Sequence, residues 1–222
     1  FLDAKDEVSG EGFSFEELLD QVAMLFLAGH ETSASALTWA AYLMANAPDI
    51  QERMHQEVVL HLADRQPELS DMRYLELVRN VFRETLRLFP PVGFMARQST
   101  SVCPMRKKTV EQGATVVVSP WLIQRHRELW DDPDVFNPDR YDNDASRESL
   151  KQAYLPFGMG PRVCMGAAFA LQEATLILAS LVRDYRISAL PEHEPQPVGR
   201  LTIRSANGVR LKLHRQIGRA HV

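Results

Sequence analysis

Apolar positions recur at helical spacing through the first part of the chain and predict one unusually long helix. Ser14 followed three positions later by Glu17 is a capping box, a helix N-terminal signature in which two side chains bond to free backbone N–H groups. No proline follows until Pro48, so the pattern predicts a helix of about 32 residues, roughly 48 Å long. Its apolar residues cover much of the circumference. We therefore expect this helix to be buried nearly all round.

The same criteria predict further helices and a change to β structure in the middle of the chain. Helices are expected at about residues 48–65, 74–88 and 165–184. The β-branched stretch Thr115–Val118 is the clearest strand, and residues 201–214 are expected to form a hairpin around Asn207 and Gly208. The predicted fold class is α+β and mainly helical, with a small β-sheet and a C-terminal hairpin.

Composition and charge exclude several classes of protein. The 222 residues are 45% hydrophobic and 24% charged, which is an ordinary globular composition rather than a fibrous or disordered one. The net charge of −4 does not favour binding to nucleic acid or to an anionic membrane. The longest apolar run, residues 22–29, is too short to cross a bilayer. Because the two cysteines lie far apart, no disulfide framework is predicted, and a reducing, cytoplasmic location is expected.

The two ends of the chain are expected to differ from those of the natural protein. The chain starts at Phe1 rather than at a methionine and soon becomes acidic, so we expect an N-terminal part of the natural protein to be missing. Residues 216–222 read like translated sequencing-adapter sequence and are predicted to be a non-native tail. Residues 1–215 are therefore expected to form the C-terminal part of a single domain.

The most informative stretch is residues 157–166, where three glycines and a proline surround one cysteine. Cys164 immediately precedes a predicted apolar helix, whose free N–H groups and positive dipole end would stabilise a thiolate. No second cysteine or histidine lies at ligand spacing, which disfavours a zinc site and favours haem, a cofactor that supplies its own equatorial ligands. The alternative is a lone buried cysteine that packs as a small hydrophobic residue.

This stretch resembles the haem-binding loop of the cytochrome P-450 family, Phe-x-x-Gly-x-Arg-x-Cys-x-Gly, at every defined position. The resemblance implies that Cys164 is the axial ligand of the iron of haem b, that Phe157 lies against its sulfur, and that Arg162 binds a haem propionate. Arg97 resembles a second propionate-binding arginine of the family, the alternative being a solvated loop residue. The expected cofactor-binding residues are Cys164, Arg162, Arg97, Phe157, Gly158 and Gly166.

A second motif lies in the middle of the long helix. Gly29 costs about 1 kcal/mol relative to alanine there, which suggests that a ligand approaches the backbone at this point. Thr32 lies one turn after Ala28 and can bond to its carbonyl, and Glu31 is a titratable group beside it. The family resemblance implies that Thr32 orders the hydrogen bond to dioxygen at the haem and that Glu31 relays protons; the alternatives are a packing residue and a surface acid. His30 is expected to be packed or solvated rather than a metal ligand.

Two copies of Glu-x-x-Arg place opposite charges on one helix face. Glu84 and Arg87 precede a Phe-Pro-Pro sequence and resemble the buried ion pair of the family, for which Arg140 is the expected third member. These three residues are expected to be architectural rather than catalytic. Glu76 and Arg79 are expected to form an exposed pair of little energetic weight.

The resemblance covers nearly the whole chain but only the C-terminal half of the family's fold. It implies a monooxygenase that hydroxylates a small apolar organic substrate with electrons from NAD(P)H, delivered by a ferredoxin or a flavin reductase. Positive charge near the cysteine loop suggests that Arg147, Lys151 and Arg162 form the docking surface for this donor. The alternatives are a peroxygenase or isomerase, a non-catalytic haem sensor or electron carrier, and a fragment that is inactive or fails to hold haem on its own.

Overall fold

The computed structural model describes residues 3–6 and 8–216, and α-helices form the centre of the structure. The α-helices among these residues, in chain order, are α1 Phe15–Ala45, α2 Pro48–Leu62, α3 Glu76–Leu88, α4 Pro120–Ile123, α5 Arg147–Ala153 and α6 Ala167–Asp184. Short 3-10 helices lie at Leu69–Arg73, Pro138–Tyr141, Asp144–Ser146 and Gly160–Arg162. None of the helices in the described ranges combines the length and apolarity that a membrane crossing requires.

The strands of the described chain form small two-stranded antiparallel sheets. In chain order they are β1 Met95–Gln98, β2 Cys103–Met105, β3 Lys108–Val110, β4 Thr115–Val118, β5 Tyr185–Ala189, β6 Pro197–Gly199, β7 Ile203–Ser205 and β8 Leu211–Arg215. The pairs are β1 with β4, β2 with β3, β5 with β8 and β6 with β7. The α+β, mainly helical class predicted from the sequence is confirmed.

The start of α1 follows the predicted capping box. The Ser14 hydroxyl accepts a hydrogen bond from the Glu17 backbone N–H at 3.3 Å, and the Glu17 carboxylate accepts one from the Ser14 backbone N–H at 2.8 Å. The helix runs for 31 residues and ends at Ala45, three positions before Pro48 begins the next helix. The length predicted from the sequence is therefore confirmed.

The prediction that α1 is buried nearly all round is wrong for its N-terminal half. Trp39, Ala40 and Met44 are buried against the other helices, whereas Phe26 and Leu27 are each 68% exposed. The helix packs on α2, α3, α6 and β5 through its C-terminal half. Apolar residues on all sides of a helix indicate that it can be buried. They do not indicate which helical turns pack against another element of this chain.

The hydrophobic core lies where α1, α2, α3 and α6 meet. Its side chains recur at intervals of three and four residues and so form one stripe on each helix. Its buried members include Ala40, Met44, Met54, Val58, Val78, Val81, Phe82, Leu178 and Val182. This packing fixes the long helix relative to α6, the helix that follows the cysteine loop.

The predicted C-terminal hairpin of residues 201–214 is wrong. Strand β7 pairs back with β6, and β8 pairs with the more distant β5. The turn itself exists, with Gly208 at φ 78°, and the Asn207 side chain fixes it by accepting from Gln196 N at 2.9 Å and donating to Glu194 O at 2.9 Å. The turn at Asn207 and Gly208 is therefore confirmed. The two strands that flank it, β7 and β8, pair with other strands and not with each other.

The predicted non-native tail falls mostly outside the described residues. Its first residue, Gln216, donates from its backbone to Asp184 O at 2.8 Å and from its side chain to Val182 O at 2.9 Å. Residues 217–222 lie outside the described part of the chain. The foreign origin of the tail stays a prediction.

A buried carboxylate joins α3 to the segment that follows the first sheets. Glu84 and Arg87 are fully buried, and Arg140 is 4% exposed. Glu84 Oε1 accepts from Arg87 Nη2 at 2.8 Å and from Arg140 Nε at 2.9 Å, and the Asn137 backbone N–H donates to the same oxygen at 3.1 Å. Glu84 Oε2 accepts from Arg87 Nε at 2.9 Å and from the Tyr141 hydroxyl at 3.2 Å. The predicted ion-pair triad is confirmed.

Arg87 extends this network towards the cysteine loop. Its Nη1 donates to Gln124 O at 2.8 Å and to Pro133 O at 2.6 Å. The buried Gln124 side chain in turn accepts from the Leu155 backbone N–H at 2.7 Å, two residues before the loop begins at Phe157. The buried ion pair therefore positions the chain that leads into the loop.

We predict a large difference between the two Glu-x-x-Arg pairs. Glu84→Gln should lower the free energy of unfolding by about 3–5 kcal/mol, because it leaves two buried guanidiniums without their carboxylate. Glu76→Gln should cost less than about 0.5 kcal/mol, because its pair with Arg79 is exposed and 3.3 Å long. Urea unfolding of both variants measures the difference, and equal losses would contradict the architectural role of Glu84.

Candidate functional site

The cysteine loop presents its sulfur at the surface. Cys164 is an exposed free thiol, and its backbone N–H donates to Phe157 O at 2.9 Å. This bond closes a turn over residues 157–164. Inside the turn, Val163 N donates a second hydrogen bond to Gly160 O at 3.0 Å. These backbone bonds fix the loop without using the thiol. The alternative of a buried, packing cysteine is therefore wrong for this structure.

Glycines let this loop turn tightly against β1. Gly158 and Gly160 have φ of 74° and 75°, in the left-handed region that favours glycine. A Cβ at Gly158 would lie 3.3 Å from the sulfur of Met95, and a Cβ at Gly166 would lie 3.9 Å from the sulfur of Cys164. Gly158 therefore brings the loop close to β1, the strand that carries Arg97.

The other predicted cofactor residues flank the loop. Phe157 is half-buried and packs on the hydrophobic core. Arg162 and Arg97 are exposed, and Arg97 Nη1 donates to its neighbouring carbonyl, Ala96 O, at 2.8 Å. Neither arginine forms a salt bridge with a carboxylate among the residues the structure describes. Two guanidiniums near the loop are thus available to external carboxylates.

The helix α1 motif has an open backbone face. Thr32 Oγ1 donates to Ala28 O at 2.6 Å, so the hydroxyl competes with the helix for that carbonyl. A Cβ placed on Gly29 would meet no atom within 4 Å outside its own helix backbone. The local arrangement expected from the sequence is present, with a glycine that has free space around it and a threonine hydroxyl one turn from it.

Glu31 is held by two side chains that the sequence did not indicate. Its Oε1 accepts from Thr202 Oγ1 at 2.8 Å and from Arg204 Nη2 at 2.6 Å. The hydrogen bond from Thr202, followed by that from Arg204, lowers the pKa of the Glu31 carboxyl below its ordinary value. The bond joins positions 171 residues apart, so no local pattern could have found it.

His30 lies in a solvated environment, one of the two that the sequence analysis expects. It is exposed and stacks on Phe26 with ring centroids 5.8 Å apart and planes within 8°. Within the described ranges, His, Cys, Asp and Glu side chains form no group of three or more that could hold a metal ion by themselves.

Two contacts connect the motifs. Ser33, next to Thr32, donates to Glu173 on α6 at 3.2 Å, and α6 begins three residues after Cys164. The loop contacts β1 where Gly158 faces Met95. Exposed apolar side chains lie in α1, in the cysteine loop and directly before β1; they include Phe26, Leu27, Phe94, Met159, Val163 and Met165. The site thus combines one thiol, two free guanidiniums and exposed apolar surface.

Comparisons with known proteins agree with this arrangement. A family model described as Cytochrome P-450 matches residues 1–211. Cyclooctatin synthase of Streptomyces melanosporofaciens is 38% identical over 194 residues, which are 87% of this chain and 42% of that protein. Pentalenene oxygenase of Streptomyces avermitilis is 34% identical over 212 residues, 96% of this chain and 47% of that protein.

A solved structure, described as retinoic acid bound cyanobacterial CYP120A1, has the same fold. It matches with a TM-score of 0.91 at 30% identity and covers 97% of this chain and 49% of that chain. The chain therefore spans about half, or somewhat less, of the proteins it matches.

We predict opposite effects for two glycine substitutions in the site. Gly29→Ala should raise the free energy of unfolding by about 1 kcal/mol, because alanine favours a helix and the added Cβ has free space. Gly158→Ala should lower it by about 1–2 kcal/mol, because φ is 74° there and the Cβ approaches Met95. Urea unfolding measures both effects, and a change of the same sign in both variants would contradict these assignments.

Proposed function

Because the chain belongs to the cytochrome P-450 family, we propose that its protein is a haem-thiolate monooxygenase that inserts one atom of dioxygen into a small apolar organic substrate. The observation that carries the proposal is the exposed Cys164 thiol in a rigid, glycine-rich loop, next to arginines without carboxylate partners. The name of the oxygenase relative from Streptomyces avermitilis supports oxygen transfer as the reaction.

The residues present fit haem b. Cys164 offers one sulfur ligand, and Arg97 and Arg162 offer guanidiniums to the two propionates. Gly29 leaves space for a flat ring to approach α1. When bound, haem supplies the iron at which dioxygen is activated, and thiolate ligation favours cleavage of the O–O bond.

In this proposal Thr32 and Glu31 deliver the protons that the reaction with dioxygen consumes. The Thr32 hydroxyl donates to Ala28 O at 2.6 Å, and its oxygen lone pairs can accept a hydrogen bond from a neighbouring donor. Glu31 lies beside it with a partly exposed carboxylate that can take protons from solvent. Thr32 therefore orders the hydrogen bond to dioxygen and Glu31 supplies the proton.

Electrons come in this proposal from NAD(P)H through a ferredoxin or a flavin reductase that docks near the cysteine loop. Arg147, Lys151 and Arg162 are all exposed, as a docking surface requires. Arg147 already forms a pair with Asp144 at 2.6 Å, so part of its charge is balanced within the chain. Arg162 shares its charge with the propionate that it binds in this proposal, so Lys151 contributes most of the positive field offered to an acidic donor.

We predict that reversing charge on this surface slows electron transfer. Arg147→Glu combined with Lys151→Glu should lower the rate of reduction by the donor several-fold at low salt, and the difference should shrink at high salt because charge steering is screened. Lys107→Glu, on the exposed turn between β2 and β3, is the charge-matched control. Stopped-flow reduction measures the rates, and an unchanged, salt-insensitive rate in the double variant would contradict the docking surface.

We predict that Cys164, and not Cys103, determines the spectrum of the haem-loaded protein. The reduced, carbon monoxide-bound form of the full-length protein should show a strongly red-shifted Soret band that Cys164→Ala abolishes, because only thiolate ligation produces it. Cys103→Ala, which removes the other free cysteine, should keep the band. A band that survives in Cys164→Ala would contradict the proposed function.

A further inference from the structure

Strand β7 and the residue before it lie along one face of α1. The Ser35 hydroxyl and the Trp39 Nε1 both donate to Ile203 O, at 2.7 Å and 2.9 Å. One turn earlier on α1, Glu31 accepts from the hydroxyl of Thr202. Glu31, Ser35 and Trp39 are spaced four residues apart and so share a helix face. The glutamate is the last of these contacts before the open stretch of α1.

The segment is also fixed from its other side, independently of Glu31. Ile203 N donates to Pro91 O at 2.8 Å. A Cβ on Gly93 would lie 2.7 Å from Ile203 Cδ1, so a side chain at this position would have to displace the end of the Ile203 side chain. Thr202 itself is 3% exposed. Its hydroxyl is therefore a rigidly placed donor.

Both partners of Glu31 bind the same oxygen. Thr202 Oγ1 and Arg204 Nη2 donate to Oε1, and Arg204 Nε also donates to Thr202 Oγ1 at 3.3 Å, which orients that hydroxyl towards the carboxylate. No hydrogen bond to Oε2 of Glu31 is found in the described part of the chain. One carboxylate oxygen is thus anchored, and the Glu31 side chain as a whole is 26% exposed.

We propose that Thr202 and Arg204 are positioning residues that hold Oε1 of Glu31 so that Oε2 alone carries the relayed proton. A proton enters from solvent onto Oε2 and passes to the oxygen of the Thr32 hydroxyl as that hydroxyl gives up its own proton towards the reacting oxygen, so both the carboxylate and the hydroxyl are regenerated. This role rests on the monooxygenase function proposed above.

The electrostatics support this role. The charged groups that act on Glu31 are Arg204 and His30, and both lower the pKa of its carboxyl, after the larger effect of the Thr202 hydrogen bond. Glu31 therefore stays ionised between transfers, ready to accept a proton. The Thr202 hydroxyl donates a stronger hydrogen bond to the ionised carboxylate than to the protonated carboxyl, so the pKa of Glu31 should rise when that hydroxyl is lost.

The experiment compares Thr202→Val, Thr202→Ser and Arg204→Gln in the full-length, haem-loaded protein. Valine keeps the shape and removes the donor, whereas serine keeps the hydroxyl as the matched control. Isotope-edited infrared titration reports the Glu31 carboxyl, identified by its absence in Glu31→Gln. The pKa of Glu31 should rise in Thr202→Val and Arg204→Gln and return to the unsubstituted value in Thr202→Ser.

The second measurement is the fraction of NAD(P)H electrons that ends in hydrogen peroxide rather than in product, as a function of pH. Thr202→Val and Arg204→Gln should raise this fraction several-fold, with KM for the substrate changed less than twofold. In a Glu31→Gln background, Thr202→Val should have no further effect, because the group it positions is already gone.

Three results would overturn the proposal: an unchanged pKa of Glu31 in Thr202→Val, an unchanged peroxide fraction, or an additive effect of Thr202→Val in the Glu31→Gln background. Failure of the proposed function is distinct, since the unsubstituted protein would then lack the thiolate spectrum and form no product. In that case the proton-relay role falls with it, whatever the infrared titration shows.

Discussion

Glu84 has no exposed surface, and its carboxylate is satisfied by two guanidiniums, a phenol and a backbone N–H. Because a buried charge is costly unless every lone pair is bonded, this group can exist only if α3 and the 3-10 turn at Pro138–Tyr141 meet with correct geometry. Arg87 also donates a hydrogen bond to Gln124 O, and the Gln124 side chain accepts one from the Leu155 backbone N–H, so the network reaches Leu155. The loop around Cys164 thus begins from a fixed point, although the ion pair takes no part in chemistry.

Local signals predicted the helices well. A capping box at Ser14 and prolines at helix starts act within one turn, so α1 and α2 begin where the sequence indicates. Burial and strand pairing depend on distant partners. The apolar circumference of α1 did not show that Phe26 stays exposed, and the turn at Asn207 did not show that β7 and β8 pair with other strands.

The candidate site divides in the same way. The loop around Cys164 and the α1 motif around Thr32 are contiguous in sequence, so their residue types predicted thiolate ligation and the resemblance of their motifs to the family implied a proton relay. Thr202 and Arg204 were missed because a threonine and an arginine on a short strand carry no signal until folding brings them to Glu31. The sequence pattern does not show this long-range contact, in which Thr202 and Arg204 bind Oε1 of Glu31.

The central claim is that one sulfur atom of this chain binds the haem iron in a site that the buried Glu84 network holds in place. X-ray absorption at the iron edge of the haem-loaded protein tests it most directly, because the method reports the element bound to iron. The account predicts one sulfur neighbour beside the porphyrin nitrogens. An iron with only nitrogen and oxygen neighbours would contradict it.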